Sequence, residues 1–243
     1  MSFMSTIRKA IRFPACWLCC ARPDCGDCSC KRPRVTVAPP HAWLQTHRRR
    51  TGMSQDLDSI TISTLWPTVV LQARFAGGLD AMKAEVYRLN ALPGGGIKKS
   101  NYGGWQSDVR LHENPVFQPL CSHVGETCAK VFKVNGAQMH QMWACINKRG
   151  DQNLIHSHTN NYNLSGVHYL SVPRDSGEIV FRDPRPGANQ APYRLFKDDG
   201  DSEYFMPSDG LTILFPSWLE HFVLPNQSDG DRISVSFDLT LER

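Results

Sequence analysis

Acidic residues are nearly missing from the first 52 positions, which hold ten Lys/Arg against two Asp, a local charge of +8. The whole chain carries +4, so residues 53–243 carry 4 − 8 = −4. The basic balance therefore gives no support for nucleic-acid binding by the larger part of the chain. No apolar run approaches the roughly 20 residues needed to cross a bilayer, and charges and cysteines interrupt any signal-like stretch at the N-terminus, so no membrane partner is expected. Cysteine is sparse outside one cluster: six of nine lie between Cys16 and Cys30. The other three, Cys121, Cys128 and Cys145, show no pairing or ligand spacing, which reads as reduced thiols in a reducing compartment. A cytoplasmic location is expected, with organelle targeting by the basic, acid-poor N-terminal stretch as the alternative.

What is present divides the chain in two. Residues 1–52 combine the cysteine cluster, prolines and Arg48-Arg49-Arg50, and read as an extension outside the fold with Met53 as a working start. A small zinc module on Cys16-x2-Cys19 and Cys25-x2-Cys28 is the rival reading, although five residues between the pairs is short for common zinc frameworks. Residues 53–243 read as one domain. Ile60–Leu65 alternates like a strand. Leu79, Met82, Val86 and Leu89 recur at helical spacing before Gly94-Gly95-Gly96. Asn114-Pro115 starts a second helix whose stripe is Leu120, Val124, Cys128 and Val131. Short strands follow over Met139–Asn147, Leu164–Val172, Glu178–Phe181, Leu211–Phe215 and Arg232–Leu241. Helices followed by many short strands predict a mainly β double-sheet jelly roll with flanking helices.

Two segments carry the chemistry. In a strand, residues i and i+2 point the same way, so His156 and His158 face one cavity. His221, some sixty residues on, supplies a third imidazole from a later strand or its end. Non-haem iron sites commonly take two His and one carboxylate with open positions for substrate and oxygen; here His158 stands where the carboxylate is usual. Asp151, the nearest upstream acid, and Asn160, two residues after His158, leave the ligand set open. Eleven residues past His221, Arg232, Ser234 and Ser236 share one face of an alternating run. Arg232 offers a planar fork for a carboxylate and Ser234 a hydroxyl. A dicarboxylate could thus chelate the metal at one end and meet Arg232 at the other, with ligand and anchor on neighbouring strands about 4.8 Å apart.

The ordered set Gly103-Gly104-Trp105-Gln106-Ser107, His156-x-His158, Ser165–Leu170, Phe181-x-Asp183-Pro184-Arg185, Phe215-Pro216-Ser217-Trp218-x-x-His221 and Arg232–Phe237 resembles the iron(II)/2-oxoglutarate-dependent oxygenase superfamily. More narrowly, it resembles a bacterial and phage group of such oxygenases in which His-x-His occurs at the first motif. The likeness spans roughly 60–242. It implies a double-stranded β-helix (jelly-roll, cupin-like), Fe(II), 2-oxoglutarate and O2 as co-substrate. It also implies hydroxylation of a small-molecule or peptide substrate. The expected metal ligands are His156, His158 and His221. Arg232, Ser234 and Tyr169 are expected at the cofactor, and Trp105, Gln106, Asn147, Asn153 and Arg185 on the substrate side. His168, on the parity of Leu164, Gly166 and Leu170, is expected to pack. The rivals are a three-histidine metalloenzyme that does not use 2-oxoglutarate and a non-catalytic jelly-roll binding module.

Overall fold

A computed structural model describes residues 65, 67–94, 96–158, 160–187 and 200–243. The expectations for residues 1–52, and the strand expected over Ile60–Leu65 apart from Leu65 itself, lie outside these residues. Among the described residues, eleven strands and two α-helices follow one another: β1 (Leu71–Arg74), α1 (Leu79–Asn90), β2 (Asn101–Tyr102), β3 (Trp105–Gln106), α2 (Gln118–Phe132), β4 (Gly136–Asn147), β5 (Gln152–His156), β6 (Leu164–Ser171), β7 (Ile179–Arg182), β8 (Ser202–Phe205), β9 (Leu211–Pro216), β10 (His221–Val223) and β11 (Arg232–Glu242). They form a six-stranded sheet ordered β1-β9-β6-β11-β4-β3 and a five-stranded sheet ordered β2-β5-β10-β7-β8. All strand pairings within the two sheets are antiparallel. This is the expected double-stranded β-helix.

β11 alternates strictly, which gives the larger sheet two chemically different faces, and β4 beside it keeps its apolar residues on the core side by a bulge at His140. On β11, Ile233, Val235, Phe237 and Leu239 enter a core shared with Met82 and Val86 of α1 and Leu120, Val124 and Cys128 of α2. Fully burying each such side chain stabilises the fold by about 1.5–3 kcal/mol. Gly166 of β6 is required by this layer, because a Cβ there would sit 2.4 Å from the Phe237 ring. The opposite faces of the two sheets enclose Val167, Tyr169, Ile179, Phe181, Ile213 and Phe215.

The helices form where the spacing predicts, with two adjustments. Asn114 caps a 3-10 turn over Pro115–Phe117, its side chain accepting from the Val116 N–H, and α2 begins only after it. The stripe of α2 continues from Cys128 by a step of four to the partly buried Phe132, leaving Val131 exposed. Among the described residues, no helix is long and apolar enough to cross a membrane.

Candidate metal and dicarboxylate site

His156 closes β5 and His221 opens β10, and the two are direct cross-strand partners in the smaller sheet. His158 lies two residues beyond the end of β5. It is held there by its backbone N–H, which donates to the Ser217 carbonyl at 2.8 Å. Ser217 belongs to the Phe215-Pro216-Ser217-Trp218 turn that leads into His221, so one turn positions both the second and the third imidazole. Ligand atoms of the three rings all lie within 4.8 Å of one another, a group able to hold a metal ion.

Each ring is aimed by an oxygen at Nδ1. His156 bonds the Leu154 carbonyl at 2.7 Å and His221 the Leu219 carbonyl at 2.9 Å. A carbonyl only accepts, so both Nδ1 atoms carry hydrogen and, in the neutral ring, Nε2 keeps its lone pair. Burial lowers the pKa of His156, and pushes that of His221 down to about 3 with the neighbouring His156 adding to the effect. Both rings therefore stay neutral, the form that ligates metals. Phe215 packs on the His221 ring at 4.6 Å and Trp143 lies 5.6 Å from that of His158.

The rings open into a cavity of about 590 Å³. Its far wall is the inward face of the larger sheet, where Arg232 and Ser234 of β11 and Tyr169 of β6 meet, Ser234 being the register partner of Tyr169. Arg232 is only 1% exposed. Its Nη1 donates to the carbonyls of Leu224 at 3.0 Å, Gly177 at 3.4 Å and, more closely, Ser176. Gly177 has φ +87°, and a Cβ there would lie 2.4 Å from the Leu224 carbonyl oxygen and 2.9 Å from Nη1. Glycine is thus what lets the backbone wrap one arm of the guanidinium. The other arm, Nη2, is buried without a partner among the described residues, and so is the Tyr169 hydroxyl. Burial raises the Tyr169 pKa, with Arg232 opposing, and lowers that of Arg232, with Tyr169 and Cys145 opposing. An orphaned cationic arm beside an orphaned hydroxyl fits a carboxylate, which accepts from both.

The larger sheet supplies Arg232 and the smaller one the histidines. Ligand and anchor therefore face each other across the barrel and do not sit on neighbouring strands as the strand-spacing argument expected. Of the substrate-side candidates, Gln106 and Asn153 line the cavity. Trp105 is adjacent to Gln106 in β3 and points the opposite way, packing on the helical core. Asn147 is buried outside the cavity lining and bonded to Asn226 and Asn153. Arg185 pairs with Asp183 in an exposed turn away from the cavity. Asp151 bonds the Lys148 N–H and stands apart from the three histidines, whereas Asn160 lies on the cavity rim. His168 faces the helical layer and bonds Thr212 at 2.8 Å.

Sequence reasoning missed Asp238 and Ser165. His158 Nδ1 lies 2.5 Å from Asp238 Oδ1 and 2.9 Å from Ser165 Oγ, and Ser165 donates to Asp238 at 2.6 Å. Asp238 is one further step along the alternation of Arg232, Ser234 and Ser236, so the same parity argument reaches it.

A double-stranded β-helix here gathers three imidazoles able to hold a metal ion beside a buried, half-satisfied arginine that fits a carboxylate. Residues 141–238 match the family described as "Putative 2OG-Fe(II) oxygenase". The resemblance to the iron(II)/2-oxoglutarate oxygenase superfamily is carried in sequence by that stretch, and the likeness to solved structures is one of fold. The fold is similar to that of a Pseudomonas putida prolyl-4-hydroxylase, at 15% identity, TM-score 0.52, and coverage of 72% of this chain and 94% of that one. It is also similar to SnoN, a non-heme alpha-ketoglutarate-dependent epimerase from nogalamycin biosynthesis (14%, TM-score 0.55, 71% and 78%). HygX from Streptomyces hygroscopicus, crystallised with nickel, 2-oxoglutarate and hygromycin B, is similar in the same degree (13%, TM-score 0.52, 71% and 83%). No curated protein matches the chain in sequence.

Proposed function

We propose that the chain is an Fe(II)- and 2-oxoglutarate-dependent oxygenase that hydroxylates a small-molecule or peptide substrate. His156, His158 and His221 hold the iron, Arg232 and Tyr169 bind the far carboxylate of 2-oxoglutarate, and Ser234 lines the same wall. The observation that carries this reading is the pair of buried orphan donors, Arg232 Nη2 and Tyr169 Oη, in the cavity that the three histidines face. A three-histidine enzyme without 2-oxoglutarate has no use for a desolvated cation there, and leaving one unpaired is costly.

When bound, iron and 2-oxoglutarate together activate O2, with one oxygen atom passing to succinate as CO2 leaves and the other to the substrate. The chain's own part is to present three neutral nitrogens, orient the dicarboxylate across the barrel and exclude bulk water with Phe215, Val167 and Ile179. Gln106, Gln141, Trp143, Asn153 and Lys99 line the remaining wall and rim, on the substrate side.

The test is succinate release by protein loaded with iron under anaerobic conditions and then exposed to O2 across a metabolite and peptide library. Oxygen-18 from O2 appearing in the product supports hydroxylation. Turnover without label points to an epimerase-like or ring-closing outcome. Iron binding with neither 2-oxoglutarate binding nor succinate release would favour the enzyme that does not use 2-oxoglutarate, and a chain that takes up no metal would favour a binding module.

A further inference from the structure

The site has three neutral ligands where one carboxylate is usual, yet a carboxylate lies directly behind the odd one. His156 and His221 are each aimed by the carbonyl two residues before them. His158 alone is aimed by a side-chain carboxylate, Asp238, which comes from the other sheet and is 3% exposed. Ser165, fully buried on the adjacent strand and the direct register partner of Asp238, donates to the same oxygen.

We propose that Asp238 is a positioning residue that replaces, through the His158 ring, the negative charge a directly ligating carboxylate would bring. The proposal rests on the metal-binding reading above. An anionic acceptor at Nδ1 fixes that hydrogen, commits the Nε2 lone pair to the metal and makes the imidazole a stronger donor. The formal charges then add as they would for two His and one Asp: a divalent ion, three neutral rings and one carboxylate give +1. With a carboxylate as ligand the charge sits on the metal; here it sits one ring away. Ser165 keeps the carboxylate in register, so that it reaches Nδ1 and not the metal.

This arrangement makes Asp238 and the residue at 158 interdependent, which a merely structural aspartate would not be. Apparent affinity for Co(II) and Ni(II), read by chelator competition and by the Co(II) visible spectrum, is measured in the full chain. Asp238→Asn is compared with wild type, and again in a His158→Asp background. Removal of such partners typically costs 10–100-fold in metal affinity, and that loss is expected for Asp238→Asn in the wild-type background. In the His158→Asp background the two carboxylates repel, so Asp238→Asn is expected to leave affinity unchanged or improve it. Equal losses in both backgrounds would assign Asp238 to structure alone and overturn the inference, as would unchanged affinity and spectrum in the folded single variant. Should Asp238→Asn not fold, Ser165→Ala carries the same cycle, with a smaller loss that must again vanish beside His158→Asp. If wild type itself binds neither ion, the proposed function fails, a result distinct from any of these.

Discussion

Tyr169→Phe tests the cofactor wall with two readouts of opposite sign. The hydroxyl is buried and has no partner among the described residues, and the ring is packed in the inter-sheet core. Removing an unsatisfied buried hydroxyl while keeping the ring releases a desolvation cost of about 1–3 kcal/mol. The protein free of cofactor should therefore resist urea better than wild type, or at worst equally. A hydrogen bond to a charged group contributes about 1.5–3 kcal/mol. Binding of 2-oxoglutarate to the metal-loaded protein under anaerobic conditions should accordingly weaken by about tenfold to a hundredfold. Urea midpoints and calorimetric titration measure the two quantities on one preparation. A Tyr169→Phe protein that is less stable yet binds 2-oxoglutarate as tightly as wild type would show that the hydroxyl serves packing, and would refute the assignment.

Arg232→Ala should weaken 2-oxoglutarate by about 2–5 kcal/mol, because the bound carboxylate is left without its cation, and anaerobic titration reads this directly. It should also lower stability, since the carbonyls of Ser176, Gly177 and Leu224 lose their donor. Gly177→Ala should destabilise by about 1–3 kcal/mol through its left-handed backbone, and 2-oxoglutarate affinity should fall with it as Nη1 is displaced; urea midpoints and the same titration check both. Burial pushes the His168 pKa from 6.5 down to about 4. As pH falls the unfolded chain takes up that proton first, so the stability contributed by neutral His168 is complete above pH 6.5 and drains away towards pH 4. The share is at most about 3 kcal/mol, and His168→Gln should flatten the urea-midpoint profile across that window.

Strand alternation made the large strands readable. The expected Leu164–Val172 and Arg232–Leu241 differ from β6 and β11 by one residue at one end. β2 and β3, two residues each, and the three-residue β10 are too short to show a period, and exist because neighbouring strands offer them an edge. The cluster of His156, His158 and His221 was legible from spacing and order, although the reason His158 reaches the others was not. It leaves the strand and is held by the Ser217 carbonyl, a contact between segments about sixty residues apart. Trp105 was misplaced because a two-residue strand gives no parity to count from. Asp238 went unnoticed because one Asp in an alternating run looks like a solvated face. Its burial comes from β4 and β6 flanking β11 on both sides, which only the assembled sheet reveals.

That central position of β11 has a consequence for how such a protein could change. Arg232 at one end of the strand and Asp238 near the other are six residues apart, about 20 Å at roughly 3.3 Å per residue. Both edges of this strand are hydrogen-bonded to neighbours, so the span behaves as a fixed gauge set by the backbone. A shift of one residue in its pairing would turn anchor and brace together out of the barrel. Lys99 and Asn160, which also line the cavity, lie outside the strands and outside the metal-binding histidines. New substrates would be accommodated by exchanging such rim residues, while the strand that carries both anchor and brace passes unaltered from one specificity to the next.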